Sequence, residues 1–374
     1  MNLFVSNEDV YSDDRVSLSP DIAKKILELN HHVFIERGAG VRAGYLDSDY
    51  EFIGCEIKNR DYSDVDIIFA VNPLPAKDIK CLKSSTIVIS PQELFNQSKN
   101  LKLFTEYKVT TFALDLIPRT TRAQYMDILS SQANLAGYRA VIEAAHILDR
   151  AIPLMMTTAG TIPAAKVLII GAGVAGLQAI ATAKRLGAIV SAFDVRASAK
   201  EQVESLGAKF VEVEGNERND GVYAREMTNS YKKAQESKLR SILPHQDIII
   251  TTAQIPGKKA PIILKTDMID TMKNNSIIID LASKTGGNCE LTKHGEIIEI
   301  SGVKIIAFEN ILNLIPHDAS RLFSKNIFAF FELLMQKMSE NPDLSAIDDE
   351  IIKATLVTYD GKVVNDKIGV SKNA

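Results

Sequence analysis

The chain contains few cysteines, and their placement excludes two common kinds of framework. It has 3 Cys in 374 residues, and Cys55, Cys81 and Cys289 lie far apart in the sequence. An odd number at these separations provides neither a disulfide framework nor the ligand spacing of a zinc site. The 6 His are dispersed apart from His31-His32, so none has a partner at ligand spacing. We therefore expect a protein of a reducing compartment without a bound metal.

An excess of charge of one sign is also absent. The chain has 43 Lys+Arg against 47 Asp+Glu, which gives a formal net charge of −4. Without a basic excess there is no electrostatic reason to expect a nucleic acid as a partner. The first residues include Glu8, Asp13 and Asp14 and do not show the basic start and apolar core of a signal peptide. The expectation is a protein that is not secreted.

A hydrophobic run long enough to span a membrane is missing as well, although residues 167–183 (VLIIGAGVAGLQAIATA) carry no charged side chain. A transmembrane helix needs about 20 apolar residues. This run is shorter, and three glycines and Gln178 interrupt it. A buried strand, a tight turn and a buried helix explain it better, and no transmembrane segment is expected.

What the sequence does contain is an alternation of short β-type runs and helical segments, which is typical of parallel sheets covered by helices. Asp360-Gly361 between two β-rich runs predicts a hairpin near the end of the chain. Predicted helices cover residues 20–29, 122–148 and about 224–243, the last after a mobile loop at 214–224. Predicted strands cover residues 32–35, 65–71, 86–90, 109–114, 166–170, 189–193, 209–213, 247–251, 276–280 and 303–307.

A chain of 374 residues exceeds what one hydrophobic core usually supports, so two domains are expected. We predict an α/β fold class: two Rossmann-like doubly wound parallel-sheet domains with a cleft between them. The first comprises residues 1–130 and 320–374, and the second comprises residues 131–319. Only the second contains a glycine-rich phosphate loop of the G-x-G-x-x-G kind.

That loop is the strongest functional motif in the sequence. Gly171, Gly173 and Gly176 follow the apolar run KVLII and precede a predicted helix. In dinucleotide-binding proteins such glycines allow a tight turn, close approach of the backbone to pyrophosphate, and close packing of helix on strand. Asp194 ends the next β-type run, where its carboxylate can accept both ribose hydroxyls and would repel a 2′-phosphate. The motif therefore predicts NAD(H) rather than NADP(H) as the cofactor of the second domain.

Several segments, taken together, resemble one family. They are residues 119–143 (RTTRAQYMDILSSQANLAGYRAVIE), AKVLIIGAGVAGLQAIATAKRLGAIVSAFDVR, DIIITTAQIPGKKAP, IIIDLASKTGGNCE and DDEIIKATLVTYDGKVV. This set resembles the NAD(H)-binding soluble alpha subunit, or domain I, of the proton-translocating nicotinamide nucleotide transhydrogenases. The alanine dehydrogenases are related to it and share two Rossmann-like domains. The likeness covers nearly the whole chain.

The resemblance implies a Re/Si-specific NAD(P)+ transhydrogenase component in which NADH passes its hydride directly to NADP+ on a partner subunit. Direct transfer needs no acid or base; it needs the two nicotinamide C4 atoms about 3–3.5 Å apart and water excluded. The implied partners are an NADP(H)-binding subunit, a membrane-spanning subunit that couples the reaction to proton translocation, and a second copy of this chain. The implied location is cytoplasmic, peripheral on a bacterial inner membrane.

The resemblance also assigns residues to the nicotinamide side of the site, and these are Arg119, Gln124, Asp127 and Ser130. The last three are spaced three apart, which would align them along one side of the predicted helix 122–148. In that arrangement an amide, a carboxylate and a hydroxyl would face the carboxamide and ribose. A solvated helix face with capping residues is the alternative interpretation from composition alone.

Further contacts to the cofactor follow from the same resemblance. Tyr223 matches the tyrosine of the family's lid over the nucleotide, and the turn at Thr252 and Ala253 is expected on the adenosine side. Gln254 departs from the family, which commonly has an apolar residue there. Arg196 either stacks on adenine or is a solvated surface residue. The predicted cofactor-binding residues are Gly171, Ala172, Gly173, Val174, Gly176, Asp194, Val195, Arg196, Tyr223, Thr252, Ala253 and Gln254.

Two other functions remain open at this stage. An amino-acid dehydrogenase of the alanine dehydrogenase type needs a lysine and a histidine to handle the substrate. That lysine would fall at Val71-Asn72-Pro73 and that histidine near residues 93–96, and neither residue type is present there. Arg15, which would hold the substrate carboxylate, is retained. A non-catalytic NAD-binding regulatory module is the second alternative.

Overall fold

The computed structural model describes residues 1–93, 98–213, 228–255, 257–365 and 368. Its strands, in chain order, are β1 Asn2–Val5, β2 His32–Glu36, β3 Glu56–Lys58, β4 Ile67–Phe69, β5 Ile87–Ser90, β6 Thr110–Ala113, β7 Met155–Thr157, β8 Gly160–Ile162, β9 Lys166–Ile170, β10 Ile189–Phe193, β11 Lys209–Phe210, β12 Ile248–Thr251, β13 Ile277–Asp280, β14 Ile297–Ile300, β15 Val303–Ile306, β16 Leu356–Tyr359 and β17 Lys362–Val363.

The helices alternate with these strands, as the sequence predicts. They are α1 Pro20–Glu28, α2 Asp47–Phe52, α3 Ala76–Ile79, α4 Ser98–Glu106, α5 Ile128–Ile147, α6 Val174–Arg185, α7 Ala199–Ser205, α8 Asn229–Ile242, α9 Thr266–Ile269, α10 Pro316–Glu340 and α11 Glu350–Thr355. Across the described ranges, none of these helices is both long and apolar enough to cross a membrane. The apolar run at 167–183 is strand β9, a turn and helix α6, as expected from its glycines.

The chain forms two compact units, Met1–Gln132 with Leu312–Ala374, and Ala133–Ile311. The first contains a sheet of order β17-β16-β6-β5-β4-β1-β2-β3, whose strands from β6 to β3 are parallel. Its inner strands are buried on both faces, as parallel strands covered by helices are. The chain runs from β1 to one side of the sheet and returns to β4 on the other. The carboxyl ends of β1 and β4 therefore mark a topological switch point.

The second unit contains a sheet of order β11-β10-β9-β12-β13-β15-β14. In this order, the six strands from β11 through β9 to β15 are parallel, and the edge strand β14 runs antiparallel to β15. Its switch point lies between β9 and β12, where ligands of doubly wound sheets bind. This is the Rossmann-like, doubly wound fold predicted from the sequence. Edge strand β14 and the small β7–β8 hairpin were not predicted; these strands are only four, three and three residues long, which leaves little room for a recognisable pattern.

The hairpin predicted at Asp360-Gly361 is confirmed. Strands β16 and β17 pair antiparallel with Tyr359 opposite Lys362. Both residues of the connecting turn have positive φ, 46° at Asp360 and 73° at Gly361. This is the left-handed conformation that Asp-Gly turns adopt readily.

The prediction of one helix over residues 122–148 is wrong at its start. Helix α5 begins at Ile128, and Gln124–Met126 form a separate 3-10 turn. The backbone of Asp127 is extended, with φ −75° and ψ 90°. Its Oδ1 accepts a hydrogen bond from the Ser130 backbone N–H at 2.9 Å. Asp127 is thus the N-cap of α5. The helix begins directly after its N-cap, whatever the helix propensity of the residues that precede the cap.

Candidate functional site

The turn between β9 and α6 lies at the switch point of the second sheet. Gly171 has φ 96°, a left-handed conformation, and its N–H donates to the Phe193 carbonyl at 2.8 Å. A Cβ on Gly176 would collide with the Gly171 carbonyl oxygen, so Gly176 allows the helix to touch the turn. A Cβ on Gly173 would meet no atom within 4 Å. Gly171 is therefore required by the conformation of the turn and Gly176 by the packing of the helix, whereas Gly173 leaves open space beside the backbone.

The open space at Gly173 faces the beginning of helix α6. Gly173 is the N-cap, makes no side-chain cap hydrogen bond, and is exposed, as is Val174, whose exposed fraction is 38%. The first N–H groups of a helix have no partners within it, and they carry the positive end of the helix dipole. An exposed helix start of this kind binds anions such as a pyrophosphate. The turn therefore fits a dinucleotide on geometry as well as on motif.

Asp194 follows strand β10 and reaches back to the same turn. Its Oδ2 accepts a hydrogen bond from the Ala172 N–H at 2.7 Å. Arg196 donates to both carboxylate oxygens, from Nε to Oδ1 and from Nη2 to Oδ2, each at 2.9 Å. This hydrogen bonding with Asp194 raises the pKa of the Arg196 guanidinium, against the effect of its burial. The Asp194 carboxylate is therefore held in place by Arg196, and Asp194 is only 8% exposed. The next residue, Val195, is half-buried.

The turn after β12 forms the other wall of the switch point. The Thr252 hydroxyl donates to the Gly171 carbonyl at 3.0 Å, so this side chain joins the two turns. Asn288, fully buried, accepts from the Ala253 N–H at 2.9 Å and donates to the Ala253 carbonyl at 2.8 Å. Gln254 is exposed and donates to the Leu281 carbonyl at 3.2 Å. The sequence placed Thr252 and Ala253 here, and it indicated a backbone turn at 286–288 near the cofactor or a plain loop turn, but it did not predict the side-chain bonds of Asn288 to Ala253.

Gly137, on helix α5, was also missed. A Cβ there would collide with the main-chain carbonyl of Ala175, in the first turn of α6. Helix α5 therefore packs directly against the end of α6 that carries the open turn. A glycine inside a helix is unfavourable without such a reason, and this was the signal in the sequence that could have indicated the contact.

The residues expected at the nicotinamide side lie in the first unit and do not share a helix face. Arg119 and Gln124 are exposed, and Gln124 lies in the 3-10 turn before α5. Asp127 and Ser130 are half-buried, and the Ser130 hydroxyl donates to Asp127 Oδ2 at 2.5 Å. The prediction that Gln124, Asp127 and Ser130 align along one side of a helix is wrong. Helix α5 begins after Asp127, so that only Ser130 of the three lies within it. Tyr223 lies outside the described residues.

Arg15 lies near the switch point of the first sheet. Its Nε and Nη2 donate to the two carboxylate oxygens of Asp13 at 2.9 and 2.6 Å, and its Nη1 donates to Gln132 Oε1 at 3.0 Å. Burial opposes ionisation of Asp13, but Arg15 outweighs it and holds the pKa of that carboxyl below its usual value. The guanidinium is therefore already paired with a carboxylate of this chain.

Glu8 lies beside this pair with little access to solvent, at 4% exposure. It accepts hydrogen bonds from the Val71 N–H at 2.6 Å and from the Asn72 side chain at 3.1 Å. Asn72 also donates to Asp13 Oδ2 at 3.1 Å. Burial raises the pKa of Glu8 to about 7, although these hydrogen bonds favour its ionised form. The position at which an alanine dehydrogenase would carry its lysine thus holds the amide of Asn72, between two carboxyl groups.

Among the described residues, no cluster of His, Cys, Asp and Glu suited to a metal ion occurs.

Comparison with known proteins gives the same family for both units. The N-terminal domain of the family described as alanine dehydrogenase/PNT matches residues 4–136, and its C-terminal domain matches residues 140–366. A solved structure described as a transhydrogenase from Sinorhizobium meliloti is 40% identical, with a TM-score of 0.86. The match covers 98% of this chain and 100% of that one.

Two curated relatives, each named as the first portion of an NAD(P) transhydrogenase subunit alpha, are similar over the same extent. The relative from Rickettsia prowazekii is 42% identical over 374 residues, which cover 98% of this chain and 96% of the relative. The relative from Rhodospirillum rubrum is 42% identical over 377 residues, covering 98% of each. The resemblance seen in the sequence is therefore confirmed, and the chain belongs to the alanine dehydrogenase/PNT family, in which it is similar to the alpha subunits of the NAD(P) transhydrogenases.

Proposed function

We propose that the chain is the NAD(H)-binding component of a proton-translocating, Re/Si-specific NAD(P)+ transhydrogenase. One observation supports this most directly: the exposed, uncapped start of α6 at Gly173, with open space beside it, in a chain 42% identical to transhydrogenase alpha subunits. Bound NADH would donate a hydride to NADP+ held on a partner subunit. The same proposal includes a membrane-spanning subunit as the proton-conducting partner and a position on the cytoplasmic face of a bacterial inner membrane.

Each group of residues has a defined task in this proposal. The turn at 171–176 would hold the pyrophosphate through backbone N–H groups and the helix dipole. Asp194 would accept the ribose hydroxyls, for which Arg196 has to give up at least part of its hold on that carboxylate. Gln124 would position the carboxamide of the nicotinamide, together with Arg119. The Asp127–Ser130 pair would act next to it as a fixed polar unit, since hydride transfer itself requires no proton acceptor.

Alanine oxidation is the less favoured activity because of the state of Arg15. A substrate carboxylate would have to displace Asp13, which pairs with two nitrogens of the guanidinium. Asn72 cannot serve as the acid or base that C–N oxidation needs. Turnover of alanine with NAD+ by the purified chain would reverse this preference.

We expect the chain, mixed with an NADP(H)-binding transhydrogenase subunit, to catalyse hydride exchange between NADH and an oxidised NADP analogue. The Gln124→Asn variant should lose about tenfold or more in rate at saturating NADH, because shortening the side chain withdraws the amide that aims the ring, and small misplacements lower transfer rates steeply. Its dissociation constant for NADH, measured by nucleotide fluorescence, should change less than threefold.

Gln202→Asn is the matched control, because Gln202 is an exposed glutamine on α7, remote in sequence from the proposed nicotinamide residues. Its rate should equal that of the wild type. Binding of NADH without any exchange by the wild-type mixture would instead support a non-catalytic NAD-binding module. An unchanged rate in Gln124→Asn would remove Gln124 from the site.

We also propose that a second copy of this chain covers the β7–β8 hairpin. An isolated two-stranded hairpin is marginally stable in water. This one exposes 44% of Met155 and 83% of Met156, and Leu154, which precedes it, is 60% exposed. Met156→Lys should therefore shift the protein from dimer to monomer in sedimentation at micromolar concentration. Phe52→Lys, at another strongly exposed apolar residue, should leave the dimer intact. A monomeric wild type, or a dimeric Met156→Lys, would contradict the assignment.

A further inference from the structure

The segment that leads into helix α5 has to hold Gln124 in place without much regular structure of its own. Gln124–Met126 form a single 3-10 turn, and the chain is extended at Asp127 before α5 begins. Gln124 and Tyr125 are both exposed, and 80% of the Tyr125 side chain is accessible. Ala123 and Met126, at the two ends of the turn, are buried in the core of the first unit, but the two exposed residues between them gain little constraint from side-chain packing. A further hydrogen bond to the backbone between these ends would fix the direction of Gln124.

Asn326, on helix α10, supplies such a constraint. It is 8% exposed, and its Nδ2 donates to the main-chain carbonyl of Tyr125 at 2.8 Å. Its Oδ1 accepts from the Ser131 hydroxyl at 2.6 Å. One buried amide thus joins the turn that carries Gln124 to the first turn of α5. An amide can donate and accept at once, which neither a carboxylate nor an apolar side chain of this size can do.

A second amide reinforces the attachment of α5 to α10 but not the attachment of the turn. Gln132 donates to the Ala319 carbonyl at 3.1 Å and accepts from Arg15. The start of α5 is therefore anchored to α10 even without Asn326. The turn is also anchored by buried side chains at its two ends, so loss of the bond to the Tyr125 carbonyl should loosen the exposed middle part of the turn.

We propose that Asn326 is a positioning residue for hydride transfer, which acts by fixing the turn that presents Gln124. This inference rests on the proposed function, and it adds a residue located about 200 positions away from the turn in the sequence. Removing the amide should leave NADH bound but less well aimed. The expected signature is a loss in kcat that is larger than any loss in affinity.

Three variants test this in the reconstituted exchange assay. Asn326→Leu removes both hydrogen bonds at similar volume, and we expect kcat to fall about tenfold, with NADH affinity within threefold of the wild type. Ser131→Ala removes only the bond to α5 and should stay within threefold in kcat. Asn326→Asp should lose kcat at pH 8, where an ionised carboxylate cannot donate to the Tyr125 carbonyl. Its kcat should recover relative to the wild type towards pH 6, as the introduced carboxyl gains a proton to donate.

Each result decides a different point. If the wild type exchanges hydride and Asn326→Leu matches its kcat, the role of Asn326 is rejected and the proposed function stands. If the kcat of Asn326→Leu falls only in proportion to the folded fraction, measured by thermal unfolding, the residue is merely structural and the inference is equally overturned. If the wild type shows no exchange, the proposed function itself fails and the inference fails with it. A fall in kcat with intact folding and affinity supports it.

Discussion

Gly173→Ala is expected to weaken NADH binding about 100-fold while leaving the folded protein at least as stable as the wild type. The φ of −77° and ψ of −168° at this residue suit alanine, and the new Cβ would meet no atom of the protein within 4 Å. Reduced freedom of the unfolded chain should even stabilise the variant by about 0.4–1 kcal/mol. The pyrophosphate, however, has to approach this backbone closely, and a methyl group would keep it away. A 100-fold loss corresponds to about 2.8 kcal/mol of binding free energy.

Gly176→Ala is the matched variant, and it should lower the stability of the fold itself. Its Cβ would strike the Gly171 carbonyl oxygen, so the turn has to deform whether or not a nucleotide is present. Overpacking of this kind destabilises a protein by about 1–3 kcal/mol. Chemical denaturation and nucleotide titration of both variants separate the two effects. Tight NADH binding by Gly173→Ala would show that the pyrophosphate does not lie on this turn.

Glu8→Gln should change how the stability of the protein depends on pH. Since the folded-state pKa of Glu8 is about 7 and its ordinary value is 4.5, the folded state retains a proton that the unfolded chain releases between these values. The free energy of unfolding of the wild type therefore falls as pH rises from about 4.5 to about 7 and is constant, in this respect, above that. At most about 3 kcal/mol is lost in this way. Glutamine removes this titration, so the free energy of unfolding of the variant should increase relative to that of the wild type as pH rises from 5 to 8.

Asp13→Asn provides the control of opposite sign. The pKa of Asp13 is lowered in the fold, so its contribution is complete above the ordinary carboxyl pKa and is lost only as pH falls through the folded value. The difference between Asp13→Asn and the wild type should therefore change less from pH 5 to 8 than the Glu8→Gln difference, because Asp13 acts in this range only through the repulsion by which it helps to raise the pKa of Glu8. Denaturant unfolding at several pH values measures both differences. A Glu8→Gln difference that does not change with pH would mean that Glu8 is ionised throughout this range.

The sequence predicted the parts of the fold that depend on local pattern. Buried parallel strands such as β9, β12 and β13 are short apolar runs with few alternatives, and the glycine spacing after β9 is tied to one geometry. The start of α5 depended on a competition between helix propensity before Asp127 and the capping ability of Asp127 itself. Capping prevailed, and with it the proposed alignment of Gln124, Asp127 and Ser130 was lost.

The parts that could not be predicted involve partners distant in the sequence. Nothing near Asn326 indicates that it bonds to a carbonyl in the segment before α5, because the contact exists only once α10 packs there. Glu8 lies in a polar stretch that looks solvated, yet the fold buries it beside Val71 and Asn72. Hydrogen bonds of this kind belong to tertiary structure, and single-sequence patterns do not encode them.

The contact of Gly137 with Ala175 limits how this protein can vary. Proteins usually absorb a substitution by rotating or exchanging neighbouring side chains, but here the opposing atom belongs to the main chain. No second mutation in a side chain can make room for a Cβ at that point; only a displacement of one helix could. Any displacement of α6 would move the N–H groups at its start. Sequence drift in the middle of α5 is therefore restricted by the same geometry that shapes the nucleotide turn.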